Sequence, residues 1–169
     1  MFVSNSSTLI LLAKISSLRS FLEIGKKITI PNQVYDEFIK KKESFDAKLI
    51  QKEIENQKIK IEDVKKEKYH SYQEEFRLHE GEAAAYALFK KDKFRAILTD
   101  DGELIKLCKI EEAPFICSMA IVFLLYKNSK ISKEEALEKI EKLYDIGRYS
   151  KEIYDYFLQK VKENGNSIS

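Results

Sequence analysis

The chain has 169 residues, 34% of them charged and 44% hydrophobic, and a formal net charge of +2 at pH 7. Its length suits one domain with a sizeable core, its longest apolar runs are too short to cross a bilayer, and its small net charge does not by itself indicate nucleic-acid binding. Because no basic and apolar secretory signal opens the sequence, we expect a cytoplasmic protein. We predict one domain over residues 1–163 and a frayed tail over residues 164–169.

Strand-like and helix-like segments alternate along the chain. The first half is predicted as strand 2–4, helices 7–15 and 18–24, strand 27–30, helices 32–40 and 44–56, and strand 59–61. The second half is predicted as helices 65–76 and 81–91, a strand that ends at Asp100, helix 103–108, strand 114–117 and helices 118–126, 132–144 and 150–162. Such alternation is typical of a parallel sheet covered by helices, so we predict an α/β fold. Ser132 and Ser150 are the expected N-caps of the last two helices, whose tyrosines are predicted to be core and interface residues.

The segment Leu98-Thr99-Asp100-Asp101-Gly102 is the most informative stretch, because an apolar run ends there in two adjacent carboxylates. In open parallel α/β sheets, ligands bind outside the carboxyl ends of the strands. Acidic side chains at such an edge can converge on a hard cation. The isolated cysteines Cys108 and Cys117 lack CxxC spacing, which disfavours a zinc site.

Four motifs follow one another in a characteristic order. They are Val3 to Ile10, Ile30-Pro31 followed by Val34 to Glu37, Gly81 to Ala85, and Leu98 to Asp101. With the continuation Leu12-Ala13-Lys14 after the first motif, this set resembles that of PIN domains, and more narrowly a prokaryotic PIN-like ribonuclease branch. The resemblance extends from Phe2 to about Tyr156. It implies a three-layer α/β/α sandwich with a central parallel sheet and extra C-terminal helices.

The resemblance also implies a ribonuclease site that depends on Mg²⁺ or Mn²⁺. Its acidic positions fall on Asn5, Glu37, Glu82 and Asp101, with Asp100 beside the last. The implied catalytic residues are Glu37, Glu82, Asp100 and Asp101, and the implied metal ligands are Asn5, Glu82, Asp100 and Asp101. Carboxylate and amide oxygens are ligands that these cations prefer. Ser6, Ser7 and Lys14 are the expected contacts to the RNA, which we expect to be single-stranded.

Each acidic residue also has a structural explanation. Glu37 and Glu82 fall in predicted first helical turns, where the helix dipole favours a carboxylate. Either aspartate of the pair could cap the helix that follows, and this explanation is as good as the functional one for Asp100 but weaker for Asp101. His79 is a secondary candidate for an acid or base beside Glu82, although a capping role suits it as well.

Asn5 departs from the family pattern, because most PIN nucleases carry aspartate there. An amide oxygen can bind a hard cation but brings no negative charge, so weaker metal binding and attenuated activity are expected.

Three functions remain open. The first is a PIN-type ribonuclease, either an RNA-processing enzyme or a toxin with an antitoxin partner, and a homodimer as the resemblance implies. The second is a non-catalytic PIN-like module that binds RNA or protein. The third, ranked last, is a phosphoacceptor receiver, which typically needs an acidic pair after its first strand, where this chain has Ser4-Asn5. Nucleotide cofactors are disfavoured, since no glycine-rich phosphate loop occurs.

Overall fold

Five short parallel strands form one sheet in the computed structural model, which describes residues 1–40, 43–91 and 93–164. The strands are β1 (Phe2–Ser4), β2 (Ile28–Pro31), β3 (Ile59–Glu62), β4 (Ile97–Leu98) and β5 (Phe115–Ile116). Their spatial order is β3-β2-β1-β4-β5, so β1 lies in the middle. All neighbours pair in parallel, with Val3 opposite both Thr29 and Ile97. The carboxyl ends of all five strands therefore meet at one edge.

Helices cover both faces of this sheet in the described part of the chain. They are α1 (Ser6–Lys14), α2 (Leu18–Glu23), α3 (Asn32–Lys40), α4 (Phe45–Glu55), α5 (Lys66–Phe76), α6 (Glu80–Phe89), α7 (Gly102–Ile110), α8 (Ser118–Lys127), α9 (Lys133–Ile146) and α10 (Lys151–Asn164). The predicted α/β class with helical layers and extra C-terminal helices is confirmed.

Two separate hydrophobic clusters flank the sheet, because side chains of a strand alternate between its faces. Phe2 and Leu98 join the cluster beneath α1, α2, α8 and α9, whereas Val3 and Ile97 join the cluster beneath α5, α6 and α7. The strands β1, β2 and β4 are buried along their whole length and are mostly apolar, as is typical of parallel sheets covered on both faces.

The observed element bounds differ little from the predicted ones. The last two strands are only two residues long, and α7 continues to Ile110 instead of ending at Cys108. The N-cap prediction for Ser132 is confirmed, since its Oγ accepts a hydrogen bond from the Glu135 N–H and the Glu135 carboxylate accepts one from the Ser132 N–H. Of the predicted tail, Asn164 is the last residue of α10, and residues 165–169 lie outside the described residues. None of the described helices combines the length and apolar character needed to cross a bilayer.

Candidate functional site

The carboxyl ends of the two central strands bring Asn5 and the aspartate pair side by side. Ser4 pairs with Leu98 in the β1–β4 register, and the Asn5 N–H donates a hydrogen bond to the Leu98 carbonyl at 3.3 Å. Asn5 is only 2% exposed. The residues that follow these two parallel strands are therefore neighbours, as the sequence pattern predicted.

Ser7 links Asn5 to the other strand. Its Oγ accepts a hydrogen bond from the Asp100 N–H at 3.0 Å and donates one to Asn5 Oδ1 at 2.8 Å. This arrangement fixes the orientation of the Asn5 amide. One lone pair of Oδ1 is engaged, and Nδ2 has no acceptor within the described residues.

Asp100 is surrounded by hydrogen-bond donors from three other parts of the fold. Thr8 Oγ1 on α1 and Ser118 Oγ on α8 each donate to Oδ2 at 2.6 Å, and the Ser118 N–H lies 3.0 Å from Oδ1. The Tyr149 hydroxyl, just before α10, also donates to Oδ1. A carboxylate has about four lone-pair sites, so this one is fully engaged within the protein. Asp100 thereby joins three elements to the sheet edge.

Asp101 has a different environment. Its Oδ1 accepts a hydrogen bond from the Leu104 N–H at 2.9 Å, which makes Asp101 the N-cap of α7. The capping role, expected to suit Asp101 less well than Asp100, thus belongs to Asp101, while the donors of Thr8, Ser118 and Tyr149 occupy Asp100. The second oxygen of Asp101 has no hydrogen-bond partner among the described residues.

Glu82 lies in the first turn of α6, where its Oε2 accepts a hydrogen bond from the His79 N–H at 2.9 Å. Burial raises the pKa of the Glu82 carboxyl, and the negative charges of Asp101 and Glu37 raise it further. The bond from His79 opposes this shift. The Glu82 carboxyl thus lies close enough to Asp101 and to Glu37, which come from two other motifs, for both charges to act on it.

Glu37 reaches this group because Gly81 has no side chain. A Cβ atom at residue 81 would overlap Glu37 Oε1 and lie 3.2 Å from Val34 Cγ2. Glycine therefore allows α3 to pack closely against the first turn of α6, with the Glu37 carboxylate beside it. This contact explains why glycine directly precedes Glu82.

A family model matches residues 1–163, and its description is DUF3368, a PIN domain. The chain belongs to the PIN domain family. The match confirms the resemblance drawn from the four motifs. Neither a search of curated proteins nor one of solved structures found a match.

Not every predicted residue of this PIN domain lies at the acidic edge. Lys14 is exposed at the last turn of α1, about 12 Å along the helix axis from Ser6. His79 is exposed and occupies the N-cap position of α6, which agrees with the capping role considered for it. Ser6 is half-buried and its side chain makes no hydrogen bond within the described residues.

Sequence reasoning missed Ser118 and Tyr149 as partners of Asp100. Ser118 lies two residues beyond the end of β5, so the rule that ligands bind at the carboxyl ends of parallel strands would also have placed it at this edge. Tyr149 has no comparable sequence signal, because the turn that carries it comes after two further helices.

The oxygen donors suit a hydrated hard cation better than a fully protein-bound one. In the described part of the PIN domain, no three histidine, cysteine, aspartate or glutamate side chains form a group ready to hold a metal ion. Magnesium keeps several waters and usually binds through one or two carboxylates together with substrate phosphates. The unengaged oxygens of Asp101 and Glu82, with Asn5 Oδ1 nearby, fit that requirement.

Proposed function

We propose that this PIN domain is a metal-dependent endoribonuclease that hydrolyses phosphodiester bonds of single-stranded RNA, with activity attenuated by Asn5. The observation that carries the proposal is that Glu37, which packs against Gly81, and Asp101 both place negative charge on the Glu82 carboxyl at the carboxyl edge of the sheet. Helix capping explains Glu82 and Asp101 separately, but it does not explain why three like charges gather. Such repulsion costs stability and persists where function requires it.

Asp101, Glu82 and Asn5 would hold one Mg²⁺ or Mn²⁺ ion. When bound, such an ion neutralises charge on the scissile phosphate and activates water. Glu37, whose carboxylate is placed by Gly81, would accept a proton from the attacking water. Asp100 is assigned as a positioning residue, since its oxygens are engaged by Thr8, Ser118 and Tyr149. Ser7 would act through Asn5, while Ser6 and Lys14 would contact RNA that runs along α1.

The test is cleavage of generic single-stranded RNA in a gel assay with Mn²⁺. Wild type, Glu82→Gln and Asp101→Asn are purified in parallel. We expect cleavage by wild type, loss of cleavage in both variants and loss on chelation of the metal. Equal cleavage by all three proteins would identify a contaminating nuclease and remove support for the proposal.

A non-catalytic module that binds RNA or protein is the second candidate. The neutral side chain of Asn5, with one Oδ1 lone pair engaged by Ser7, favours it. Persistent RNA binding without cleavage, even with excess Mn²⁺, would select this function over the nuclease.

The family resemblance further supports a homodimer and, if the protein is a toxin, an antitoxin partner. Apolar side chains available for such contacts include Ile110, which is 66% exposed, and Ile146, which is 43% exposed. Light scattering on the purified protein tests the dimer, and a monomer at all concentrations would contradict it.

A further inference from the structure

A groove leads away from the acidic edge toward the C-terminal helix. A cavity of about 470 Å³ contains Asp101, Arg148 and Tyr149 in its wall, and a second of about 630 Å³ contains Tyr156 and Phe157. The two share five lining residues, namely Lys109, Phe115, Cys117, Ser150 and Ile153. They therefore form one continuous depression between β5 and α10, which we call the β5–α10 groove.

The far end of the β5–α10 groove exposes apolar surface on a rigid support. Tyr156 is 54% exposed and Ile153 is 43% exposed. The Tyr156 ring stands edge-on to Phe157, with ring centroids 5.1 Å apart, and Phe157 packs against the hydrophobic core. An exposed aromatic ring held in this way suits stacking with another flat group.

Charges of both signs line the same groove. The cations are Lys109 and Arg148, and the carboxylates include Asp101, Glu152 and Glu103, the last of which is paired with Lys106. Lys109 and Arg148 are both exposed, and neither has a carboxylate within 4.0 Å in the described part of the chain. Lys160 Nζ lies 5.4 Å from the centroid of the Tyr156 ring. Aromatic surface combined with unpaired cations is the combination that single-stranded nucleic acids bind.

We infer that the β5–α10 groove binds a nucleotide that flanks the scissile phosphate, with its unpaired base stacked on Tyr156 and the backbone phosphates near Lys109 and Arg148. This inference rests on the proposed nuclease function. Because the groove is continuous with the cavity that contains Asp101, RNA cleaved beside Asp101 would extend into the groove. A base inside a duplex is already stacked and cannot turn toward Tyr156. The groove thus selects RNA that is unpaired beside the cleavage point.

The test measures RNA binding apart from cleavage. Fluorescence anisotropy of a labelled single-stranded RNA is followed with the full chain in EDTA, for wild type, Tyr156→Ala, Tyr156→Phe and the control Phe45→Ala. Phe45 is an exposed aromatic residue on α4 that does not line the groove. We expect Tyr156→Ala to raise Kd about tenfold, the usual effect of losing one stacked base, while Tyr156→Phe and Phe45→Ala remain close to wild type. Lys109→Gln should lower the slope of log Kd against the logarithm of the salt concentration by about one, because one phosphate contact is lost.

Cleavage with Mn²⁺, measured in parallel, separates this inference from the nuclease proposal. If RNA is cleaved but Tyr156→Ala and Phe45→Ala bind it equally well, the groove assignment is overturned and the nuclease stands. If binding depends on Tyr156 without any cleavage, the groove stands and the nuclease proposal fails. Absence of all binding overturns the groove assignment. So does a change from dimer to monomer in Tyr156→Ala without a change in RNA affinity, because a second copy of the chain would then cover the groove.

Discussion

The hydroxyl group of Tyr149 donates a hydrogen bond to Asp100 and so attaches the start of α10 to the carboxyl end of β4. Burial, with the negative charge of Asp100, raises the pKa of Tyr149 above its ordinary value of 10.0, so the phenol remains a donor in alkaline solution. Gly147 makes the contact possible. A Cβ atom there would lie 2.6 Å from the Leu143 carbonyl oxygen and 2.8 Å from Tyr149 Cδ2.

Tyr149→Phe should destabilise the protein without unfolding it. Asp100 loses one donor but keeps those of Thr8 and Ser118, so we expect the free energy of unfolding to fall by about 1.5 kcal/mol. Urea denaturation measures the loss. Tyr154→Phe is the matched control, because the Tyr154 hydroxyl makes no hydrogen bond within the described residues. An equal loss in both variants would show that the bond to Asp100 contributes nothing.

Asp100→Asn and Asp101→Asn should separate stability from activity. At position 100 an amide nitrogen would face the donors of Ser118 and Tyr149, so a loss of about 2 kcal/mol is expected. At position 101 asparagine is as good an N-cap as aspartate, so the free energy of unfolding should change by less than about 0.5 kcal/mol while RNA cleavage disappears. Denaturation and gel assays on both variants check this. Retained cleavage in a stable Asp101→Asn protein would exclude this residue from the site.

The sequence was sufficient for the fold and for the sheet edge at which the candidate residues lie, but not for the different environments of Asp100 and Asp101. Strand ends are local features, and the parallel topology brings them together wherever the helices run. The difference between Asp100 and Asp101 depends on Ser118 and Tyr149, which lie 18 and 49 residues further along the chain. Three helices separate Asp100 from Tyr149, and no spacing rule predicts a contact across them. The packing of Glu37 against Gly81 likewise depends on how closely α3 and α6 approach.

Gly81→Ala should lower activity more than stability. Alanine is the better helix former by roughly 1 kcal/mol, which offsets part of the steric cost of displacing the Glu37 carboxylate. We expect a change of less than about 1 kcal/mol in unfolding free energy and a strong loss of RNA cleavage. Gly102→Ala is the control, because a Cβ atom there meets no atom within 4 Å. A fully active Gly81→Ala would argue against a role for Glu37.

Glu82→Gln should stabilise the protein in a pH-dependent manner. Burial and the neighbouring carboxylates raise the pKa of Glu82 in the native state, whereas in the unfolded chain it titrates near 4.5. Between these two values the native state binds more protons than the unfolded state, so wild-type stability falls as pH rises through that window. At neutral pH the neutral amide avoids this loss. We expect the free energy of unfolding to rise by about 1 kcal/mol, a common effect of replacing a functional residue, and Tm to rise by about 2–4 °C.

Thermal melts across pH test this expectation for Glu82. The difference in Tm should vanish below pH 4.5, where the carboxyl is protonated in both states. Added Mn²⁺ should raise the Tm of wild type but not of the variant, since a ligand stabilises only the protein that binds it. A lower Tm for Glu82→Gln at neutral pH would mean that the bond to the His79 N–H outweighs the repulsion.

Asn5→Asp should restore the charge that this chain lacks at the first motif. The new carboxylate would still accept the Ser7 hydrogen bond, and its charge would add to those of Glu82 and Asp101. Without metal, the added repulsion in a buried position should lower Tm. With Mn²⁺, calorimetry should show affinity at least about tenfold higher than for wild type, because charge interactions at such short range are worth several RT even when well screened. RNA cleavage should rise together with the Mn²⁺ affinity.

Asn56→Asp is the control, because it adds the same charge at the exposed C-cap of α4, away from the candidate site. It should change neither the Mn²⁺ affinity nor the rate of RNA cleavage. Unchanged Mn²⁺ affinity in Asn5→Asp would show that residue 5 does not bind the ion, and a persistent absence of cleavage would favour the non-catalytic module.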